Sequence, residues 1–278
     1  MNSIPIMVNG LPGNVARIMA ESAIQDERFT LVPFSLTGED IDLGQVSVNQ
    51  TNVTLLKPSE REGKIQEIQE AYPGFICVDY THPTAVNDNA AFYAANKIPF
   101  VMGTTGGDRK ALENTVENGS MPSVIAPNMA KQIVGLQAML EYGAKTFPGL
   151  FKGFSLQVKE SHQQGKADTS GTAKALVACF NELGTDFEIA DIEKIRDPEI
   201  QKGELGVPET YIGGHGWHTY TLEAPDGSAL FELKHNINGR QIYVSGTFDA
   251  VVFLKDKIET NAFDKKLFTM IDVLTAGK

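Results

Sequence analysis

Only two of the 278 residues are cysteine, Cys77 and Cys179. Each sits in an apolar context, FICVDY and ALVACF, which argues against a disulfide framework and for a reducing compartment. No apolar run approaches the ~20 residues of a membrane span, so no membrane partner is expected. No basic region precedes the first apolar stretch, MNSIPIMVNG, so the start does not read as a signal peptide. Basic residues are in deficit: 24 Lys+Arg against 35 Asp+Glu give a net charge of −11. A nonspecific nucleic-acid binder needs a basic footprint, so nucleic acid is not an expected partner. Histidine is scarce as well, with five in the chain. His215-Gly216-Trp217-His218 places two of them three apart, but a zinc site would want more ligands and both cysteines look buried. No metal site is expected.

What is present is a globular composition, 42% hydrophobic and 21% charged, at a length comfortable for two domains. The first half alternates short apolar runs with helical patterns. Strands are expected at Ile4–Val8, Phe29–Phe34, Val53–Leu56, Phe75–Tyr80, Pro99–Met102 and Pro122–Ala126. Helices are expected at Gly13–Gln25, Ser59–Ala71, Thr84–Asn96 and Asp108–Glu117. This βα rhythm predicts a Rossmann-type parallel sheet. After Asn128 the texture changes. A helix over Ala130–Phe147, a strand at Phe154–Glu160 and a helix over Ser170–Leu183 come first. Strands at Tyr211–Glu223, Ala229–Asn236 and Arg240–Thr247, joined by PDG (225–227) and NG (238–239) turns, predict an antiparallel sheet in a second α+β domain. Helices at Ala250–Ile258 and Lys265–Leu274 close the chain. The expected domains are 1–129 plus 250–278 for dinucleotide binding, and 130–249 for substrate binding and oligomer contacts.

The first strand runs into Gly10-Leu11-Pro12-Gly13-Asn14-Val15-Ala16. Two glycines and a small third residue at a strand-to-helix turn suit a pyrophosphate at the helix N-terminus; an ordinary βα turn with two glycines is the bland alternative. The end of the second strand carries no acid until Glu39, so a 2′-phosphate is repelled less there, and Arg17 is a candidate to meet it, with a solvated helix arginine as the equal alternative. Gly103-Thr104-Thr105-Gly106-Gly107 and Ala126-Pro127-Asn128-Met129 fall at later strand ends, where ligands gather in parallel sheets. His82, before a proline, has no visible partner and reads as a turn residue.

The most loaded segment is Lys159–Ala175, KESHQQGKADTSGTAKA. It delivers His162 and Lys166 into a loop, and Thr169 and Ser170 then offer N-cap hydroxyls to the next helix. A helix start beside a lysine makes a carboxylate pocket, and an imidazole beside it can carry a proton. A polar loop before a capped helix explains Ser170 and Thr172 but not the histidine and lysine. Arg240, after the NG turn, is a candidate for a second carboxylate contact, with a surface turn arginine as the equal alternative.

With IMVNGLPGNVA, DYTHP, FVMGTTGGDR and IRDP (195–198), that segment resembles the 4-hydroxy-tetrahydrodipicolinate reductase family, in its plant-like form, over nearly the whole chain. The resemblance implies NADPH or NADH bound by Gly10, Leu11, Pro12, Gly13, Asn14 and Val15, beside the separate candidate Arg17. Gly103, Thr104, Thr105, Ala126, Pro127, Asn128 and Met129 would then line the nicotinamide. It implies His162 as acid/base, Lys166 as second proton donor, and a cyclic dicarboxylate held by Lys166, Ser170, Gly171 and Thr172, with Gln163 still able to donate to a carboxylate and Arg240 the separate candidate. It further implies diaminopimelate and lysine synthesis, a homodimer or homotetramer, and a bacterial cytoplasm or, with a transit peptide removed, a plastid stroma. Three positions depart from the family pattern: Gln163 replaces a second histidine, Ala16 a glycine, and Asn128 a glutamine. Two rivals stand beside this reading. A semialdehyde dehydrogenase would need an exposed nucleophilic cysteine. A non-catalytic Rossmann relative acting as a nucleotide-binding assembly factor would have no use for His162 and Lys166.

Overall fold

The computed structural model describes residues 3–261 and 263–276. The chain forms two compact units, one built from the chain through Lys131 together with the chain from Tyr243 onward, the other from Gln132–Ile242.

The first unit is organised by a six-stranded parallel sheet. Its strand order is Leu267–Phe268, Ser123–Ile125, Phe100–Met102, Ile76–Asp79, Ile4–Asn9, Phe29–Leu31. The central strands are apolar on both faces, as a sheet covered on two sides requires. The helix Asn14–Gln25 buries Ala16, Met19, Ala20 and Ala23, the three-and-four spacing of one helical face. Register puts Asn9 beside Asp79 and Asp79 beside Met102, while Met102 pairs with Ile125. The residues that follow, Gly10, Tyr80, Gly103 and Ala126, therefore leave adjoining strands at one carboxyl edge.

Several expected elements differ. The strand expected over Phe29–Phe34 is cut at Val32-Pro33, because proline has no N–H to give a ladder. Phe34–Leu36 instead pairs with Thr51–Leu56, which pairs antiparallel with Gln45–Val48 in a separate three-stranded sheet. The strand expected as third in the main sheet is thus outside it. The segment expected as strand Arg240–Thr247 is the start of a helix, Ile242–Thr260, which absorbs the helix expected at Ala250–Ile258. Its buried Val244, Thr247, Phe248, Val251 and Leu254 recur at helical spacing, a period the β-branched residues had masked. The helix expected from Lys265 begins only at Met270, after the short strand Leu267–Phe268; Thr269 and Asp272 cap each other reciprocally there.

The second unit holds a mixed four-stranded sheet, ordered Glu193–Ile195, Ser155–His162, His215–Glu223, Leu230–Asn238. The first pair is parallel and the others antiparallel. The helix Gly171–Glu182 supplies Ala173, Leu176, Val177 and Phe180 to a core that includes Leu156, Val158, Tyr220 and Leu222.

Candidate active site

Strand alternation builds the cluster in the second unit. Leu156, Val158, Glu160 and His162 share one face, opposite Leu222, Tyr220, His218 and Gly216 respectively. The face is apolar at one end and turns polar at the other. Glu160 is fully buried there. The Arg196 guanidinium pairs with one of its oxygens, and the other accepts the Ser170 N–H at 2.9 Å. Arg196 also donates to the carbonyls of Lys166 at 2.8 Å and Glu160 at 3.3 Å, and so clamps the loop that carries Lys166. The buried Gln201 donates to the carbonyl of His162 at 2.7 Å and fixes the loop's first residue.

His162 has both nitrogens engaged: Nδ1 lies 3.1 Å from the His215 carbonyl and Nε2 lies 3.3 Å from Nε2 of His218. Burial, first of all, holds its pKa down at about 4; the nearby charges of Arg196 and Lys166 act the same way, and Glu160 opposes them. Burial, with the neighbouring imidazoles, pushes His218 lower still, to about 2. Both rings are neutral near pH 7. Gly216 faces His162 across the ladder, and a Cβ there would stand 3.0 Å from the imidazole Cε1. Lys166 is half-buried and its ammonium meets both oxygens of the exposed Asp168 at 2.8 Å. Glu160, His162 and His218 form a group with ligand-type atoms within 4.8 Å of one another. The Arg196 guanidinium on Glu160 already supplies the positive charge a cation would bring, so the cluster reads as a hydrogen-bonded network rather than a metal centre.

The expected N-cap at Ser170 differs in kind. Ser170 occupies the cap position, but its side chain makes no cap bond and its own N–H is spent on Glu160. The helix Gly171–Glu182 therefore starts with no side-chain cap and no acid in its first turn. Gly171 is exposed and Thr172 half-buried, so their N–H end faces an open surface suited to a carboxylate. Gln163 follows His162 and is half-buried. Arg240 stands just past Asn238, which pairs with His215, so it leaves the sheet at the end where His162 also emerges.

In the first unit the helix Asn14–Gln25 starts the same way, with Gly13 at the cap position, no side-chain cap and no first-turn acid. Gly13 and Asn14 are exposed, Pro12 and Val15 half-buried. Leu11 is different: its side chain is in the core, its N–H donates to Ser35 Oγ and its carbonyl accepts from Thr37. Gly10 has φ 108°, and a Cβ would fall 2.2 Å from the Tyr80 carbonyl, so its first constraint is the chain's own neighbouring turn. Arg17 donates to the Ser47 carbonyl at 3.1 Å and stands 3.9 Å from Glu21. Thr104 turns inward, donating to the buried Asp79 at 2.7 Å, whereas Thr105 is exposed. Ala126 and Met129 are buried, Pro127 is exposed, and Asn128 accepts from the Ala130 N–H at 2.9 Å. Asp79 also accepts from Thr81, Asn89 and Tyr93. Both cysteines are buried, and burial raises both thiols. Neither is poised as a nucleophile.

Sequence reasoning missed Glu160 and Gln201 as parts of the site; it met Arg196 only inside the IRDP motif, and His218 only as one of a histidine pair weighed and set aside as zinc ligands. One signal was available: the alternation Leu156-Val158-Glu160 runs a carboxylate onto a core-facing stripe, which demands a partner. The identity of that partner, 36 residues on, was not available without the fold.

A parallel sheet whose carboxyl edge carries an uncapped, acid-free helix start suits a dinucleotide phosphate. With a histidine–lysine cluster on a second, mixed sheet, this is the class of two-domain, nicotinamide-dependent oxidoreductases. The family described as "Dihydrodipicolinate reductase, N-terminus" matches residues 4–129, and its "C-terminus" counterpart matches residues 133–274. The chain is 46% identical over 276 residues to "4-hydroxy-tetrahydrodipicolinate reductase 1, chloroplastic" of Arabidopsis thaliana, covering 99% of this chain and 79% of that one. It is 26% identical to the reductase of Methanopyrus kandleri, over 99% and 98% of the two chains. A solved structure, the dipicolinate-bound dihydrodipicolinate reductase from Paenisporosarcina sp. TG-14, shares the fold with a TM-score of 0.66 at 19% identity, over 96% of this chain and 97% of that one. The chain belongs to the dihydrodipicolinate reductase family.

Proposed function

We propose that the protein reduces 4-hydroxy-tetrahydrodipicolinate to tetrahydrodipicolinate, consuming one NAD(P)H and one proton and releasing one water, in the diaminopimelate route to lysine. The observation that carries this reading is the convergence of His162, Lys166 and the uncapped start at Gly171 and Thr172 on one end of the second unit's sheet. A bound nicotinamide supplies the hydride to the substrate ring. The chain's own residues hold the substrate and supply the proton. Lys166 and the helix start at Gly171 and Thr172 take one carboxylate; Gln163, Ser170 and Arg240 are assigned to the same substrate. Asp168 is a placeholder in this scheme: its carboxylate occupies the Lys166 ammonium that the substrate carboxylate would take over. His162 or Lys166 protonates the ring carbon next to the one that receives hydride.

On the cofactor side, Gly10, Pro12, Gly13, Asn14 and Val15 are assigned to the phosphates, with Leu11 contributing only as a buried anchor. Gly103, Thr105, Pro127 and Asn128 are assigned to the nicotinamide surface. Thr104, Ala126 and Met129, all buried, support that surface from behind. Arg17 is the candidate for a 2′-phosphate, and both NADPH and NADH fit an edge without a nearby acid. Among the described residues no helix is long and apolar enough to cross a membrane. A homo-oligomer is proposed. So is a plastid stroma, since plant relatives at 45–46% identity are named chloroplastic; a bacterial cytoplasm is the other setting in which the route runs.

The test is NADPH and NADH oxidation with enzymatically generated substrate. His162→Gln should lower kcat by ~10²–10⁴-fold with a modest change in KM, the range for loss of a positioned acid/base. Lys166→Met should lower kcat and raise KM together. Cofactor binding without turnover in the unmodified protein would favour the non-catalytic relative instead.

A further inference from the structure

Resting on the reductase reading, the geometry points to His218 as a positioning residue: its Nε2–H latches onto the Nε2 lone pair of His162 and keeps that imidazole neutral and turned toward the sheet until a dicarboxylate draws it away. Nδ1 of His162 faces a carbonyl oxygen, that of His215, at 3.1 Å. A carbonyl only accepts, so Nδ1 carries the hydrogen. In a neutral ring Nε2 is then the acceptor. The atom facing it at 3.3 Å is Nε2 of His218, which must therefore be the donor. That leaves Nδ1 of His218 as the one nitrogen of the pair with neither a hydrogen nor a partner, and it is buried.

A proton added to the closed pair has nowhere favourable to go. If it lands on Nε2 of His162, the shared hydrogen of His218 must move to Nδ1 of His218, the atom with no acceptor. The ring of His218 is itself 4% exposed and stacked on His235 at 4.7 Å between centroids. Both nitrogens of His235 also lack partners. The groups facing the pair are Glu160 on the same strand as His162, Tyr220 stacked beside His218, Arg196 and Lys166 from the flanking segments, His215 from the opposite strand and His235 from the strand beyond. Glu160 stands 3.9 Å from Nε2 of His218, beyond hydrogen-bond range, and its oxygens are already held by Arg196 and Ser170. Charging His162 therefore requires the two imidazoles to part. Gly216 permits this, since any side chain opposite His162 would press on its Cε1. A substrate bearing two negative charges favours the imidazolium. His162 then takes a solvent proton at the freed Nε2 and gives that same proton to the substrate carbon, returning neutral to the latch.

The test is heteronuclear NMR of the full-length 15N-labelled protein, following the ring nitrogens of His162 through a pH titration. Pyridine-2,6-dicarboxylate serves as a non-reducible dicarboxylate probe. The expected result in the free protein is the Nδ1–H tautomer, titrating well below the ordinary imidazole value of about 6.5, with the probe raising it. His218→Leu, which removes the donor, should move the titration up toward that value. His218→Gln, whose amide N–H still donates, should keep it low, and the pH profile of turnover should follow the same order. An Nε2–H tautomer for His162 in the free protein overturns the latch. So does identical titration in the leucine and glutamine variants. Should His218→Leu not fold, the tautomer of the unmodified protein decides alone. A latch that behaves as expected beside a fully active His162→Gln would sink the proposed role of His162 and leave the hydrogen-bond assignment standing.

Discussion

Each unit buries one carboxylate next to its candidate site, and the two are stabilised in different ways. Asp79 is held by neutral donors only: the N–H and hydroxyl of Thr81, and the side chains of Thr104, Asn89 and Tyr93. Glu160 is held by a full charge, Arg196, and one backbone N–H. Both are fully buried. The difference matches what each carboxylate positions. Asp79 ties together turns that leave adjoining strands, at Tyr80-Thr81 and Gly103-Thr104, and gives them a fixed shape without a net cation. Glu160 and Arg196 hold a loop containing Lys166 and a helix start at Gly171. A cancelled charge there leaves the ammonium and the helix dipole as the field an incoming carboxylate meets.

The largest effect is expected at Arg196. Arg196→Ala leaves Glu160 buried and unpaired, which costs about 3–5 kcal/mol. Denaturant unfolding should show that loss, and substrate KM should rise as the Lys166 loop is released. Asp79→Asn should cost less, about 1–3 kcal/mol, because hydroxyl donors can rotate while Asn89 or the Thr81 N–H loses its acceptor. Its signature should be weaker NADPH and NADH binding with little change in substrate KM. If both variants weakened substrate and cofactor equally, the two carboxylates would not be separate positioning devices.

Acid should act selectively on the histidine-rich end of the second unit. His162, His215, His218 and His235 are all held below their ordinary values, with burial the leading cause in each. Such groups bind protons more readily when unfolded. Their contribution to stability is therefore complete above about pH 6.5 and is lost as pH falls toward the folded values, about 4 for His162. Unfolding measured from pH 7 to 4 should show falling stability, with a shallower slope in His218→Gln.

The smallest effect is expected at the helix starts. Asp197 caps its helix through the N–H groups of Glu199 and Ile200, and Asp197→Ala should cost about 1 kcal/mol. Ser170→Ala removes no cap bond and should be close to neutral in thermal unfolding. A full capping loss at Ser170 would remove the reason to regard Gly171 and Thr172 as open to a ligand.

Periodicity made the parallel sheet legible, and the family segment pointed to His162, Lys166 and Gly171. The strand expected over Phe29–Phe34 shows why more was not. Its apolar run is continuous, yet Pro33 ends one ladder and Phe34 begins another, and nothing local says which strand Phe34 will join. Arg240–Thr247 shows the converse: Ile242, Tyr243, Val244 and Thr247 favour strands by type, and burial at helical spacing decides otherwise. Arg196 stood in the sequence inside the IRDP motif (195–198) of the family resemblance, with no partner or role attached to it. Only the parallel pairing of Glu193–Ile195 with Lys159–Ser161 brings it to Glu160.

The sequence alone determined where apolar stripes run, which residue types carry protons and phosphate-sized turns, and the family to which the chain belongs. The first two are local properties, readable from period and composition; the family rests on the resemblance of whole motifs. Tertiary structure decided which atoms face the two ring nitrogens of His162, which hydroxyl does not cap its helix, and which guanidinium cancels a buried carboxylate. Each of those depends on an atom from a strand or loop distant in the chain, brought within hydrogen-bonding range only by sheet register.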